Sequence, residues 1–406
     1  MQTSINDFHL RGFGPLGIAA LLAGLTAPAF AQGSTERFLV STTNDVGALD
    51  AALPVLTDTD LMAVGAGARP APWFTVGHWF ALADFAPRDV DGAALRGSVA
   101  AAGDLYMSFL SDDGGFLDGD LVRLDADGVF RVAVAEDQIA LALGDAALDI
   151  DVDAFAFDGA VPGAPGLFGG GRLVFSLAAD VDTAVLGPVQ NGDVLALDES
   201  GVLTRLFAED DVSDALALAT GSSASIGDVH GLEVVSGEVW VAVQSPSEFD
   251  GAVLALGALA RIVADEADLA LGGEELDALI HLGPEQPLSL WLEGAVGGSN
   301  GRGVVQNGTP GGPALLVGAG AAGWFPTPEL SGFGGLAVDM NDPLLTALLA
   351  GPSLPIYWLD SEGSLALPAN VSSVGAGTGP GGGLGLTLQA VDLLSGRVSA
   401  PFRIVL

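Results

Sequence analysis

Self-similarity at a fixed spacing restricts the fold of this 406-residue chain more than any other feature. Four short β-rich runs look alike: "FLVST" from Phe38, "LYMSFL" from Leu105, "LVFSL" from Leu173 and "VWVAV" from Val239, their starts 67, 68 and 66 residues apart. A second pattern follows each run, clearest as "GDLVRLDADGVFRVA" from Gly119 and "GDVLALDESGVLTRLF" from Gly192. Two alternating apolar runs joined by a turn of Asp, Ser and Gly read as a β-hairpin. "GAVLALGALARIV" from Gly251 is a degraded copy, and the first copy, around "DTDLMAVGAGARPAPWF", is longer and less regular.

Ahead of the later runs lies a third pattern: "DVDGAAL" from Asp89, "DVDAFAF" from Asp151, "DVHGLEV" from Asp228 and "ELDALIH" from Glu275. In register, Asp89, Asp151, Asp228 and Glu275 share one column, and Asp91, Asp153, His230 and Asp277 share another. A small residue follows each time: Gly92, Ala154, Gly231, Ala278. One unit thus holds an acidic-led strand, a strand of the "LYMSF" type and a hairpin. Four strands in about 67 residues is the content of one propeller blade. The expected fold is all-β, a propeller-like domain of about four such repeats over residues 32–285, followed by a small β-sandwich over 286–406. The first copy lacks its acidic-led strand and a spare one, "ELDALIH", ends the series. Ring closure is therefore expected, with "RFLVS" near Phe38 joining the sheet that holds Asp277.

The two acidic columns are the candidate site. Symmetry would bring Asp89, Asp151, Asp228 and Glu275 around one axis, with Asp91, Asp153, His230 and Asp277 beside them. Alternate residues of a strand share a face, which would put Asp151 and Asp153 on the same side. One reading has these side chains capping backbone N–H groups at each strand start. The other has them binding calcium, because like charges held close need a counter-ion and oxygen donors without thiols suit a hard cation. A helix-loop-helix calcium loop starting at Asp149 fails, since its sixth and twelfth positions hold Ala154 and Ala160.

The N-terminus "MQTSINDFHLRGFGPLGIAALLAGLTAPAFAQG" has a polar start with Arg11, a short apolar stretch and an "AFA" site. That is the layout of a secretory signal peptide over residues 1–31, with cleavage before Gln32 and a periplasmic or extracellular mature protein. The chain carries 51 acidic and 13 basic residues, all of the latter Arg, for a formal charge of −38. Such a charge disfavours nucleic acid and anionic membrane surfaces as partners, and no membrane insertion is expected once the signal is removed. Without cysteine there is no disulfide, thiolate metal site or cysteine nucleophile, and without lysine no phosphate-loop lysine or Schiff base.

Beyond His281 the repeat fades into short apolar runs between Gly and Pro turns, the pattern of a β-sandwich, with "NDPLLTALLAG" able to supply a helical turn or two. "GAGAAG", Gly318 to Gly323, formally fits a dinucleotide fingerprint, but Pro326 and Pro328 forbid the helix that fingerprint must open. "GGSNG" around Ser299 reads as a Gly-rich loop and not a nucleophile elbow.

The recurrent "DVDAFAF", "GRLVFSL" and "GDVLALDESG" pieces, with the later "GLTLQAVDLLSG", resemble secreted bacterial β-propeller-like proteins. The resemblance is structural and carries no catalytic residue across. The expected function is that of an exported, acidic, non-enzymatic binding module for a protein, polysaccharide or surface ligand. The alternative is a secreted propeller hydrolase or lyase using axial carboxylates, with or without calcium.

Overall fold

The computed structural model describes residues 36–42, 57–65, 70–74, 89–96, 105–110, 115–125, 128–160, 167–221, 225–244, 249–257, 259–265, 269, 275–283, 287–293, 301–327, 331–332, 335–350, 354–368 and 385–405. The signal-peptide segment and most of "GGSNG" lie outside them. Among the described residues strands make up 52%, with three short helices, so the all-β expectation holds at the level of class.

Each repeat builds a four-stranded antiparallel sheet. Sheet I takes β1 (Arg37–Thr42), β2 (Leu61–Gly65) and β3 (Ala71–Phe74) from the start of the repeats. Sheet II is β4 (Val90–Leu95), β5 (Leu105–Phe109), β6 (Leu121–Leu124) and β7 (Phe130–Val134), after which helix α1 (Glu136–Leu143) leads to the next repeat. Sheet III is β8 (Ala154–Asp158), β9 (Arg172–Ser176), β12 (Val194–Asp198) and β13 (Leu203–Phe207). A small excursion, β10 (Val181–Thr183) paired with β11 (Gly187–Val189), interrupts it, and helix α2 (Glu209–Thr220) follows it. Sheet IV is β14 (Asp228–Val235), β15 (Glu238–Gln244), β16 (Ala252–Leu256) and β17 (Arg261–Ala264). The fourth strand of sheet I comes from the far end of the series: β18 (Leu276–Gly283) pairs antiparallel with β1, placing Val40 opposite Leu279 and Ser41 opposite Ala278. This is the pairing expected between "RFLVS" and "ELDALIH".

The sheets pack in sequence, because each is apolar on both faces. One core joins sheets I and II through Leu39, Phe74, Phe109 and Phe130, and a second joins II and III through Tyr106, Phe155 and Phe175. A third lies between III and IV around Val174, Val229 and Leu254, and a fourth between IV and I around Trp240, Val253 and Phe38. The first strands also touch in order: β4 meets β8 and β18, and β14 meets the same two. Side chains tie neighbouring sheets as well. Ser176 Oγ on β9 donates to Val229 O on β14 at 2.9 Å, and Ser41 Oγ on β1 donates to Val90 O on β4 at 2.8 Å. These serines occupy one repeat position, the Ser of "LVFSL" and "FLVST".

The hairpin aspartates are the second repeated device. Asp120 Oδ1 accepts from Glu136 N and Asp193 Oδ1 from Glu209 N, each at 2.8 Å, which satisfies an orphan N–H at the start of α1 and α2. Each helix ends on a glycine in the left-handed region, Gly144 at φ 108° and Gly221 at φ 71°.

After β18 the strands form a different arrangement. β19 (Ser289–Glu293), β20 (Arg302–Gln306) and β26 (Leu365–Pro368) make a three-stranded sheet. β21 (Pro313–Ala319), β23 (Ser331–Gly332), β25 (Ile356–Trp358), β27 (Gly385–Asp392), β28 (Arg397–Val398) and β29 (Phe402–Val405) make a six-stranded one. β22 (Ala322–Pro326) pairs with β24 (Gly335–Val338). The two larger sheets share a core of Leu288, Leu290, Val305, Ala314 and Ala390. "GAGAAG" falls where β21 ends and β22 begins, so strands flank it and no helix opens there. "NDPLLTALLAG" supplies helix α3 (Pro343–Ala350), capped by Asp342 Oδ1, which accepts from Leu344 N at 2.8 Å. This part packs on sheet I: Trp291 and Val304 meet Ala71, and residues 33–406 form one compact unit.

Candidate functional site

In three of the four sheets the column residue of the first strand is left over by a β-bulge. Between β4 and β5 the register runs Val90↔Phe109 and then Gly92↔Ser108, which leaves Asp91 as the extra residue. Between β14 and β15 it runs Val229↔Val243 and then Gly231↔Ala242, leaving His230, and between β18 and β1 the skipped residue is Asp277. In sheet III pairing begins at Ala154↔Ser176, immediately after Asp153. A bulge bends its strand and re-aims one side chain, and it is the shared origin of Asp91, His230 and Asp277, whereas Asp153 takes the same column position as the residue just ahead of the β8 ladder. Strand alternation does not extend to Asp151 and Asp153, because both precede the paired part of β8.

The small residues after the column follow from the same packing. A Cβ on Gly92 would lie 2.7 Å from Ser108 Oγ and 3.0 Å from Phe155 Cδ1, and one on Gly231 would lie 3.0 Å from the Cβ atoms of Ala242 and Leu279.

The column residues meet in one buried group. Asp91 and Asp277 are 4% exposed, Asp153 and Asp228 6%. His230 Nε2 lies 3.7 Å from Asp228 Oδ2, and its Nδ1 lies 3.4 Å from Asp277 Oδ1. One carboxylate oxygen of Asp153, one of Asp228 and one ring nitrogen of His230 lie within 4.8 Å of one another. Asp228 is held firmly: its Oδ1 accepts from Val229 N and its Oδ2 from Asn191 Nδ2, both at 2.7 Å. By contrast Asp91 Oδ2, Asp153 Oδ2, Asp151 Oδ1 and His230 Nδ1 are buried with no hydrogen-bond partner.

Their electrostatics follow from burial and mutual repulsion. Burial, with Asp153, Asp151 and Asp277 beside it, pushes the Asp91 carboxyl up to about 10. Asp153 is also raised well above the usual carboxylate range, by burial first, with His230 opposing and Asp228 adding to it. Burial works against protonation of His230, yet Asp228 and Asp277 outweigh it and raise the imidazole to about 11.

No protein-family model matches this chain, and no curated protein matches it.

Of the outer column, Asp151 is raised to about 7 by burial and by Asp118. It borders a second acidic trio, Asp118, Glu136 and Asp149, in which Glu136 Oε1 accepts from Ile150 N at 3.1 Å. Glu275 turns to a neighbour, with Gln244 Nε2 donating to its Oε2 at 3.2 Å. The chain pattern marked the right residue types. It did not separate Asp91, Asp153, Asp228, His230 and Asp277, which are brought together, from Glu275. For Asp91, His230 and Asp277 the separating signal is the bulge, and one trace of it is legible: a small residue following each column residue. Asn191, which orients Asp228, lies in the "QNGDV" turn and escaped the reading because nothing in the sequence joins it to β14.

Proposed function

We propose that this chain is an exported, non-enzymatic binding module. Its four repeats are the blades of a closed four-bladed propeller, the two later sheets are a β-sandwich, and the central acidic group takes up a cationic ligand. The closed-ring reading is supported by β1 pairing with β18 and by the four cores that link the sheets in a cycle. One observation carries the binding reading: bulges on successive first strands turn carboxylates into a single buried group in which several oxygens lack any partner. Buried polar atoms are almost always satisfied, so unsatisfied ones of one charge type point to a positive ligand. Calcium is the ion expected from the carboxylates alone.

The hydrolase or lyase alternative sits less well with the burial. Carboxylates that are 4% to 6% exposed admit an ion but not a polysaccharide chain. Calorimetry of the full chain with calcium, zinc, spermidine and arginine amide tests the reading. At least one should bind at one equivalent, and binding should weaken at least tenfold in Asp153→Asn. Protein that stays folded and binds none of the four would end it. Export is supported by the "AFA" site, and protein recovered outside the cytoplasm should begin at Gln32. An intact Met1 there would count against it.

A further inference from the structure

We infer that Asp153, Asp228 and His230 form a coordination site for one first-row divalent metal ion of the zinc class, with Asp277 as the carboxylate that orients the histidine. The inference rests on the cation-binding reading and goes past it, naming both the ion class and the ligands.

The geometry of the three donors is the first ground. His230 Nε2 and Asp228 Oδ2 are 3.7 Å apart, too far for a hydrogen bond. Two donors each about 2.1 Å from a common ion, at tetrahedral angles, lie roughly 3.4 Å apart. The third donor comes from Asp153, whose ligand oxygen is within 4.8 Å of both. Asp153 is 6% exposed, and its Oδ2 is buried without a hydrogen-bond partner.

The surroundings of the donors are the second ground. Metal-bound histidines pass their other ring nitrogen to a carboxylate, which sets the ring's orientation and tautomer. His230 has that layout: one ring nitrogen faces Asp228, and the other lies 3.4 Å from Asp277 Oδ1. Asp228 is itself anchored by Val229 N and by Asn191 Nδ2, at 2.7 Å each, so its position does not depend on the ion. The three ligand positions sit on neighbouring sheets, III for Asp153 and IV for Asp228 and His230, with Asp277 on sheet I. The site therefore exists only when those sheets are assembled.

The donor set selects the ion. Calcium takes six to eight oxygens and has little use for an imidazole, whereas zinc and its neighbours accept mixed nitrogen and oxygen sets with three protein ligands and an open position. Binding displaces protons from the ligands, as for any imidazole and carboxylate site.

The test uses the full chain, stripped with chelator and titrated with zinc, cobalt(II) and calcium by calorimetry, with absorption spectra recorded for cobalt. One equivalent of zinc and of cobalt should bind, each at least tenfold tighter than calcium. Cobalt should show visible bands that change in His230→Gln. Asp228→Asn should lose at least tenfold in zinc affinity, and Asp277→Asn should lose tenfold to a hundredfold while keeping the stoichiometry. Zinc should also raise the melting temperature of the wild-type chain, a reading that needs no variant to fold. If calcium binds at one equivalent and zinc does not, or if spermidine alone binds, the metal-class inference is overturned while the cation-binding reading stands. If neither metal nor organic cation binds the folded protein, both fall. Zinc affinity unchanged in both Asp228→Asn and His230→Gln would place the ion elsewhere and overturn this site.

Discussion

Glu233 shows how one partly buried residue ties stability to pH. It lies on β14, where its Oε1 accepts from Val234 N at 2.8 Å and its Oε2 from His281 N at 3.1 Å. Burial raises its carboxyl to about 7, because two backbone donors do not repay the loss of water. A carboxyl raised above its unfolded value binds more protons in the folded state, so its contribution to stability falls as pH rises from about 4.3 to 7 and stays low above that. The full difference is at most about 4 kcal/mol. Glu233→Gln removes the titration and one of the two acceptors. We expect the variant to be less stable than wild type at pH 5, by about 1 kcal/mol, and to equal or exceed it at pH 8. Urea melts at the two pH values measure this. A difference between wild type and variant that does not change with pH would refute the assignment. His281 beside it is paired with Glu36, whose Oε2 lies 2.6 Å from Nε2, and it packs on Trp240 with ring centres 4.9 Å apart.

At the scale of the element, β4, β14 and β18 are first strands with a deliberate fault. The bulge places one polar side chain inward, and the residue after it must be small because the facing strand leaves no room. Gly92 illustrates the constraint, with Ser108 Oγ and Phe155 Cδ1 already at 2.7 and 3.0 Å from where a Cβ would stand. Gly92→Val should therefore destabilise the chain by about 1–3 kcal/mol through overpacking between sheets II and III. The comparison is with Gly303→Val: Gly303 sits in β20, where the nearest atom to an added Cβ is a leucine methyl 3.7 Å away. Thermal melts of the two variants decide it, since equal losses would mean that the contact at Gly92 has no special role. The hairpins obey a different rule. Asp120 and Asp193 each close their own turn, accepting from Leu117 N and Gln190 N, and also cap the helix that follows. One aspartate thus sets both the start of an outer hairpin and the start of a helix some sixteen residues later.

At the scale of the molecule, stability depends on closing the series. β1 lies between β18 and β2, and its Phe38, Leu39 and Val40 are fully buried. Deleting residues 32–45 removes β1 and bares one edge of β18 and one of β2, along with the cores on either side. We expect loss of the cooperative thermal transition of the whole repeat region. A truncated protein that melts like the full chain would show that the β1–β18 pairing is dispensable. Among the described residues no helix is long and apolar enough to cross a membrane.

The repeat spacing, the strand types, the hairpins and the β1–β18 pairing could all be read from the chain, because each is a local pattern recurring in sequence. "RFLVS" lacked a leading strand and "ELDALIH" lacked a following one, and that count alone pointed to their union. The residue types at the site were legible for the same reason. Their selection was not. Whether Asp153 or Glu275 joins His230 depends on where each ladder begins and on which residue a bulge leaves over, and a bulge is decided by the registers of two strands together. Asn191, from a turn in sheet III, reaches Asp228 on sheet IV only after the sheets have packed. Local sequence thus determined which elements form and in what order. Packing between sheets, which acts across 37 residues at Asn191 and Asp228, alone decided which side chains share the interior.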